Sequence, residues 1–291
     1  MKIRRILALV LAMTAVNAVA LAEFDASKTI AVVSREEGSG TRGAFIELTG
    51  VMKKNADGQE VDYTYAEADF VNGTSLVMTT VAGNEYAVGY ASLSSVLHDD
   101  SIKSVKVGGV QAITENILNG TYPIARPFNI VTKGELTDPL ALDFFSFIMS
   151  LEGQAVVSED GLVSVSTDQT AAYVSAKLSG KLTVGGSTSV SPVMELLAEA
   201  YTALNPDVQI DNQATGSSAG VTGALDGTYD IGMASRSLKD SEKEAGALAT
   251  AIGIDGIAVI VHPMNPAEDL ALEQVRQIFT GEVTTWADLS K

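Results

Sequence analysis

SREEGSGTRGAF, residues 34–45, joins a β-branched run to a helix through a turn of charge, glycine and hydroxyl groups. The run before it, Thr29–Ser34, reads as a strand. The residues after Gly38-Ser39-Gly40-Thr41 read as a helix with Phe45, Leu48 and Met52 on its inner face. A helix start carries backbone N–H groups with no partner inside the helix and a partial positive charge. Glycine allows close approach of backbone to a ligand, and Ser39, Thr41 and Arg35 add donors. Such a corner is suited to an anion.

Two further corners share this composition. Gly186-Ser187-Thr188-Ser189-Val190-Ser191-Pro192 follows Leu182–Val184 and leads to a helix with Val193, Leu196, Leu197, Ala200 and Tyr201 on its buried face. Ser191 is expected to cap that helix, with Pro192 in its first turn. Thr215-Gly216-Ser217-Ser218-Ala219-Gly220 follows Val208–Asn212 and leads to a helix with Val221, Ala224 and Leu225. Other strands are expected at Ala87–Ser92, Val105–Val107, Asn129–Thr132, Asp230–Ala234 and Gly256–Val261, with a buried helix over Leu140–Leu151. The alternation implies an α/β chain with mostly parallel sheets. Any one corner is explained by capping alone; three of them, one beside Arg35, favour an anion site. None is a nucleotide P-loop, because Ser179-Gly180-Lys181 runs into Leu182 without the upstream glycine spacing.

Composition narrows the function. Lys2, Arg4 and Arg5 precede an apolar run from Ile6 to Ala20 with small residues at its end, the pattern of a signal peptide over residues 1–22. A retained membrane anchor is the alternative, but the run is short for a span. The chain of 291 residues carries 19 Lys+Arg against 36 Asp+Glu. Loss of the signal removes three of the cations and makes the balance still more acidic. Nucleic acid and anionic membranes are therefore poor partners, and a bound anion must rely on local, oriented donors. There is no cysteine, which excludes disulfides, thiol catalysis and a lipid-modified cysteine. His98 and His262 lack metal-ligand spacing and read as surface residues, and no cofactor is called for. Trp286 and Phe279 read as core, and Asn119-Gly120-Thr121 as a turn.

At these motifs the chain resembles the periplasmic phosphate-binding proteins of phosphate ABC importers. The resemblance spans nearly all of the mature chain. It includes SREEGSGTRGAF, AVGYASL (Ala87–Leu93), NGTYPIARPF (Asn119–Phe128), VTKGE (Val131–Glu135), GSTSVSP, TGSSAG, IGMASRSLKDSE (Ile231–Glu242), DGIAVIV (Asp255–Val261) and QIFTGEVTTWADL (Gln277–Leu289). The order differs from the family pattern, in which the GSTSVSP-like segment comes first and the SREEG, ARPF and VTKGE segments come last. The resemblance thus implies a circularly permuted, two-lobed α/β periplasmic-binding-protein fold (type II-like) with a ligand cleft between lobes. The family's termini would be joined through Ser166–Gly180. A discontinuous lobe is expected over residues 23–93 and 256–291 and a continuous one over 94–255, with crossovers near Tyr90–Ser94 and Gly256–Val261. Halves exchanged between two chains are the alternative to a permuted monomer.

The resemblance also implies a phosphate site. Arg35, Ser39, Gly40 and Thr41 would bind from one lobe, and Thr188, Ser189 and Ser217 from the other. A buried carboxylate, which can only accept hydrogen bonds, would select protonated phosphate over sulfate. Family members often carry Asp where this chain has Arg236, so the acceptor is expected to be Glu37 or a backbone carbonyl, or else discrimination is weaker. Arg236 is either a second cation at the site or the partner of an acid such as Asp240 or Glu242. Arg126 is expected to brace a lobe. The implied function is high-affinity phosphate capture in the periplasm and delivery to permease subunits, with secretion as the alternative location. A different tetrahedral oxyanion such as sulfate or molybdate, or an enzyme using the same cradle, are the rival readings; no nucleophile-plus-base pattern supports the enzyme.

Overall fold

The computed structural model describes residues 24–290; the signal segment expected over residues 1–22 lies outside the described residues. In chain order, the elements are β1 (Ala31–Arg35), α1 (Gly40–Thr49), the antiparallel pair β2 (Met52–Lys54) and β3 (Glu60–Asp62), β4 (Asp69–Val71), α2 (Thr74–Ala82), β5 (Ala87–Ser92), α3 (Leu93–Val96), β6 (Lys103–Val107) and α4 (Thr114–Leu118). There follow β7 (Ala125–Lys133), α5 (Pro139–Ile148), α6 (Leu151–Glu159), β8 (Val163–Ser164), β9 (Gly180–Gly186), α7 (Ser191–Leu204), β10 (Val208–Ala214), α8 (Ser217–Asp226), β11 (Ile231–Ala234) and α9 (Asp240–Glu244). The chain closes with β12 (Ala247–Val261), β13 (Asp269–Leu270), α10 (Leu272–Phe279) and a 3-10 turn over Trp286–Ser290.

One long strand organises the molecule. β12 runs for 15 residues and belongs to two sheet halves. Its first part pairs β7, beyond which lie β11, β9 and β10; its last part pairs β5 and β6, with β1 and β4 beyond β5. Two cores follow from this. One gathers Val33, Phe45, Val77, Tyr90, Val105, Ile124, Ile260 and Phe279. The other gathers Phe128, Phe144, Ile148, Leu182, Leu197, Tyr201 and Met233 around β9, β7 and helices α5 to α7. A smaller cluster, including Val131, Val221 and Ala234, covers the opposite face of the second half-sheet under α8. The molecule is therefore two-lobed α/β, as the motifs imply.

Three expectations are corrected. The sheets are mixed: β12 is antiparallel to β5, β6, β7 and β8, and β7 is antiparallel to β11, while β1, β4 and β5, and β9, β10 and β11, pair in parallel. The lobe boundary lies near residue 125 instead of 94. Ile102, Val105, Val107, Ile117 and Ile124 pack in the first core, because β6 pairs the end of β12. The crossing points are accordingly Ile124–Arg126 and Asp255–Gly256, where β7 and β12 run side by side with Arg126 opposite Asp255. The helix expected over Leu140–Leu151 is two, α5 and α6. Ser150 accepts from Gly153 N to cap the second, and the two axes differ by 58°.

Helix faces also shift in detail. Gly50 takes a left-handed conformation (φ 73°) and ends α1, so Met52 falls in β2 and Leu48 is exposed; Ala44, Phe45, Ile46 and Thr49 form the buried face. Leu196 is exposed on α7, where Val193, Met194, Leu197 and Tyr201 are buried; the cap position is Val190, with no side-chain cap bond, so Ser191 is the first helical residue and not the cap. Trp286 and Phe279 are buried, and His98 is exposed. Asn119 turns the chain by accepting from Thr121 N at 3.0 Å.

Candidate functional site

The corners meet between the lobes. Arg35 ends β1 and is 2% exposed. Its guanidinium donates through Nη1 to Thr74 Oγ1 (3.3 Å) and through Nη2 to Thr188 Oγ1 (3.0 Å), which belongs to the other lobe. Nε and Nη2 also form a two-pronged bond to Glu36, both contacts at 2.7 Å. Burial alone would raise the Glu36 carboxyl; the hydrogen bond and charge of Arg35 outweigh it and hold the group below the usual carboxylate range.

Around this cation lies a ring of hydroxyls. Thr41, in the first turn of α1, bonds Ser189 Oγ at 2.8 Å across the cleft. Thr74, at the start of α2, bonds Ser189 Oγ (3.1 Å) and Thr188 Oγ1 (3.2 Å). Ser187 donates to Ser235 Oγ at 2.8 Å, and Ser235 N donates to Ser217 Oγ at 3.1 Å. Ser39 caps α1 by accepting from Arg42 N at 3.3 Å. A side chain on Gly40 would meet Ser217 Oγ at 2.2 Å and Ser235 Oγ at 2.8 Å, which shows how closely α1 approaches α8. Ser189, Thr41, Ser217 and Ser235 are all at most 1% exposed. The groups sit beyond the carboxyl ends of β1, β9 and β11, the usual place for ligands in α/β sheets. Beside them opens a cleft of about 480 Å³ lined by Gly73, Thr74, Thr188, Ser191 and Glu195.

The structure thus brings Arg35, Ser39, Gly40, Thr41, Thr188, Ser189 and Ser217 into one neighbourhood. Glu37 is exposed, and the carboxylate at the cluster is its neighbour Glu36. Arg236 forms a two-pronged pair with Glu242 (2.7 and 2.9 Å), the second of the two roles expected for it. Thr74 was not anticipated, although Asn72-Gly73-Thr74-Ser75 repeats the glycine-hydroxyl composition at a helix start, with Gly73 at φ 87°. Arg126 does more than brace a lobe: it donates to Thr41 Oγ1 at 2.9 Å. Among the described residues no group of three or more His, Cys, Asp or Glu could hold a metal ion.

Chemically, the site is a donor-rich enclosure. Hydroxyls can turn from one another toward a ligand's oxygens, a guanidinium supplies charge-assisted bonds, and the starts of α1, α2, α7 and α8 supply oriented N–H groups. Such a set matches a small oxyanion held on all sides.

Comparison with known proteins agrees. Residues 14–152 and 171–291 match the family model for the PBP superfamily domain. A phosphate-binding protein PstS 2 of Streptococcus agalactiae serotype V is 48% identical over 263 residues, covering 90% of this chain and 88% of its own. The crystal structure of a phosphate-binding protein of a phosphate ABC transporter from Streptococcus pneumoniae TIGR4 superposes with a TM-score of 0.70 at 46% identity, covering 90% of this chain and 99% of that one. A phosphate-binding protein PstS of Pseudomonas aeruginosa matches over a shorter stretch, 36% identical over 127 residues, or 38% of this chain and 39% of its own. On this combination of fold, site and similarity over most of its length, the chain belongs to the PBP superfamily and, within it, to the phosphate-binding proteins of phosphate ABC transporters.

Proposed function

We propose that this protein captures inorganic phosphate with high affinity between its lobes and delivers it to the permease subunits of an ABC-type importer. The observation that carries this reading is the inter-lobe cluster itself: Arg35, Thr41 and Thr74 from one lobe face Thr188, Ser189 and Ser217 from the other. Phosphate would take bonds from Arg35, from the hydroxyls of Thr41, Thr74, Thr188, Ser189 and Ser217, and from the N–H groups of Gly40 and its neighbours. Ser39 supports the α1 start as its cap. Glu36, rather than the exposed Glu37, is the carboxylate placed to meet a phosphate proton. Because both its oxygens already serve Arg35, rejection of sulfate falls short of the roughly 10⁴-fold that a dedicated acceptor can give.

Isothermal titration of ligand-free protein with phosphate tests the reading, followed by competition with sulfate and molybdate. Arg35→Ala should abolish the measurable heat. Equal affinity for all three anions would replace phosphate with a general oxyanion as ligand. The protein acts as a carrier and not an enzyme, so incubation with a phosphate monoester should release no phosphate.

We further infer that the protein works as a periplasmic monomer, exported by its N-terminal segment and carrying no cysteine for a lipid anchor. Recovery in an osmotic-shock fraction, with a solution mass of one chain, is the expected result. The chain order is a circular permutation of the pattern common in the family, joined through Ser166–Gly180. This is supported by the extended match to the streptococcal relative alongside the shorter match to the Pseudomonas one. The joining segment is held against the second lobe, with Tyr173 donating to Asp143 at 2.6 Å.

A further inference from the structure

Arg126 opens β7 at the crossing point between lobes and is 3% exposed. Its Nη2 pairs with Asp255 at 3.0 Å, and both side chains are 1% exposed. Asp255 is held in turn by Ser92 Oγ at 2.9 Å. A pure brace would need no more than this pair. Yet Nη1 is committed elsewhere: it donates to Thr41 Oγ1 at 2.9 Å and to the carbonyl of Ser235 at 2.8 Å. Thr41 lies in the first turn of α1 in the first lobe, and Ser235 follows β11 in the second. One planar group therefore contacts both halves of the cluster.

The consequence for Thr41 is directional. A hydroxyl has one proton to donate and two acceptor positions, whereas arginine can only donate. With Arg126 filling an acceptor position on Oγ1, the Thr41 proton is left for Ser189 Oγ, 2.8 Å away, or for a ligand oxygen. The same bond polarises the O–H toward stronger donation. Asp255 balances the buried charge, so the arrangement orients a donor without adding net charge to the site.

We propose that Arg126 is a positioning residue of the anion site, fixing the Thr41 hydroxyl as a donor and tying it to the second lobe through Ser235. This rests on the phosphate reading above. The test is a double-mutant cycle with phosphate as titrant. The buried pair is replaced as a unit, Arg126→Met with Asp255→Leu, since apolar replacement of a buried ion pair is often neutral for stability. Thr41→Val is then made in this background and in the wild type.

In the wild type, Thr41→Val should weaken phosphate binding by about 10- to 100-fold, the range for losing a bond to a charged ligand. In the paired-replacement background, it should cost no more than about 3-fold, because the donor is already misdirected. The paired replacement should itself weaken binding at least about 10-fold, with the unfolding midpoint in the absence of phosphate little changed. Equal costs of Thr41→Val in both backgrounds, or wild-type affinity in the paired replacement, would overturn the role. If the paired replacement does not fold, Arg126→Lys, which keeps a cation opposite Asp255 but loses the fork, enters the cycle with the same expectation. Absence of binding by the wild type would instead overturn the phosphate reading, and the proposal with it.

Discussion

Gly40→Ala separates closure of the site from stability of the helix that carries it. Gly40 is the first residue of α1, and its backbone angles are open to any residue. Alanine should favour the helix by up to about 1 kcal/mol over glycine. The obstacle lies in the other lobe. The added carbon would stand 2.2 Å from Ser217 Oγ and 2.8 Å from Ser217 Cβ. Turning the serine rotamer relieves only the first contact. Ordinary contact begins near 3.4 Å, so to clear the remaining carbon–carbon contact Ser217 must recede from α1 by roughly 0.6 Å. A shift of that size stretches the inter-lobe contact of 2.8 Å between Thr41 and Ser189 to about 3.4 Å, longer than the usual hydroxyl–hydroxyl bond. Two or three anion contacts weakened by about 0.5–1 kcal/mol each amount to about 2 kcal/mol, or roughly 30-fold in Kd. Calorimetric titration should show that loss, while the unfolding midpoint without phosphate stays level or rises. Unchanged affinity would refute the claim that ligand binding requires α1 and α8 to approach this closely.

Two further substitutions probe the same cluster. Thr74→Val keeps shape but removes a hydroxyl that bonds Arg35, Thr188 and Ser189; phosphate affinity should fall about 10-fold, as read by competition titration, with unfolding nearly unaltered. For Glu36, whose carboxyl is depressed on folding, the stabilisation is present above its unfolded value of 4.5 and lost as pH falls through the lower folded value. The unfolding midpoint of the wild type should therefore drop on acidification below about pH 4.5, and that of Glu36→Gln should be lower at neutral pH but fall less steeply. Partial exposure limits the difference to about 1 kcal/mol.

The corners were legible because helix-start chemistry is local: glycine and hydroxyl residues reveal an N-terminus wherever it packs. Ala87–Ser92 was readable to its ends for the same reason, as a strand bounded by turn residues. Strand direction was not readable, since β12 runs antiparallel to four neighbours through contacts remote in sequence. The lobe boundary failed similarly: nothing near Ser94 reveals that Val105 will pair with Val259. Glu36 and Glu37 are adjacent acids, and only the turn leaving β1 decides that the first faces Arg35. Thr74 carried the same signal as the other corners, but in a turn with a single glycine and no charge beside it.

The charge arrangement bears on how so acidic a protein can hold an anion. Its net charge is −17, so the overall field repels phosphate. The buried arginines near the cleft do not reverse this, because each has its own carboxylate: Arg35 has Glu36, Arg126 has Asp255, and Arg236 has Glu242. What remains is a set of dipoles, hydroxyls and helix starts fixed in direction and shielded from water, where oriented donors act strongly. Such a site differs from an exposed basic patch in its response to salt. A patch weakens as ions screen it, whereas here screening acts mainly on the unfavourable long-range repulsion. Raising KCl from about 0.05 to 0.5 M shortens the Debye length from roughly 14 Å to 4 Å. Phosphate affinity should then stay level or improve, and association should speed up. A Kd that weakened by about 10-fold over that range would mean that net positive charge, and not donor geometry, holds the anion.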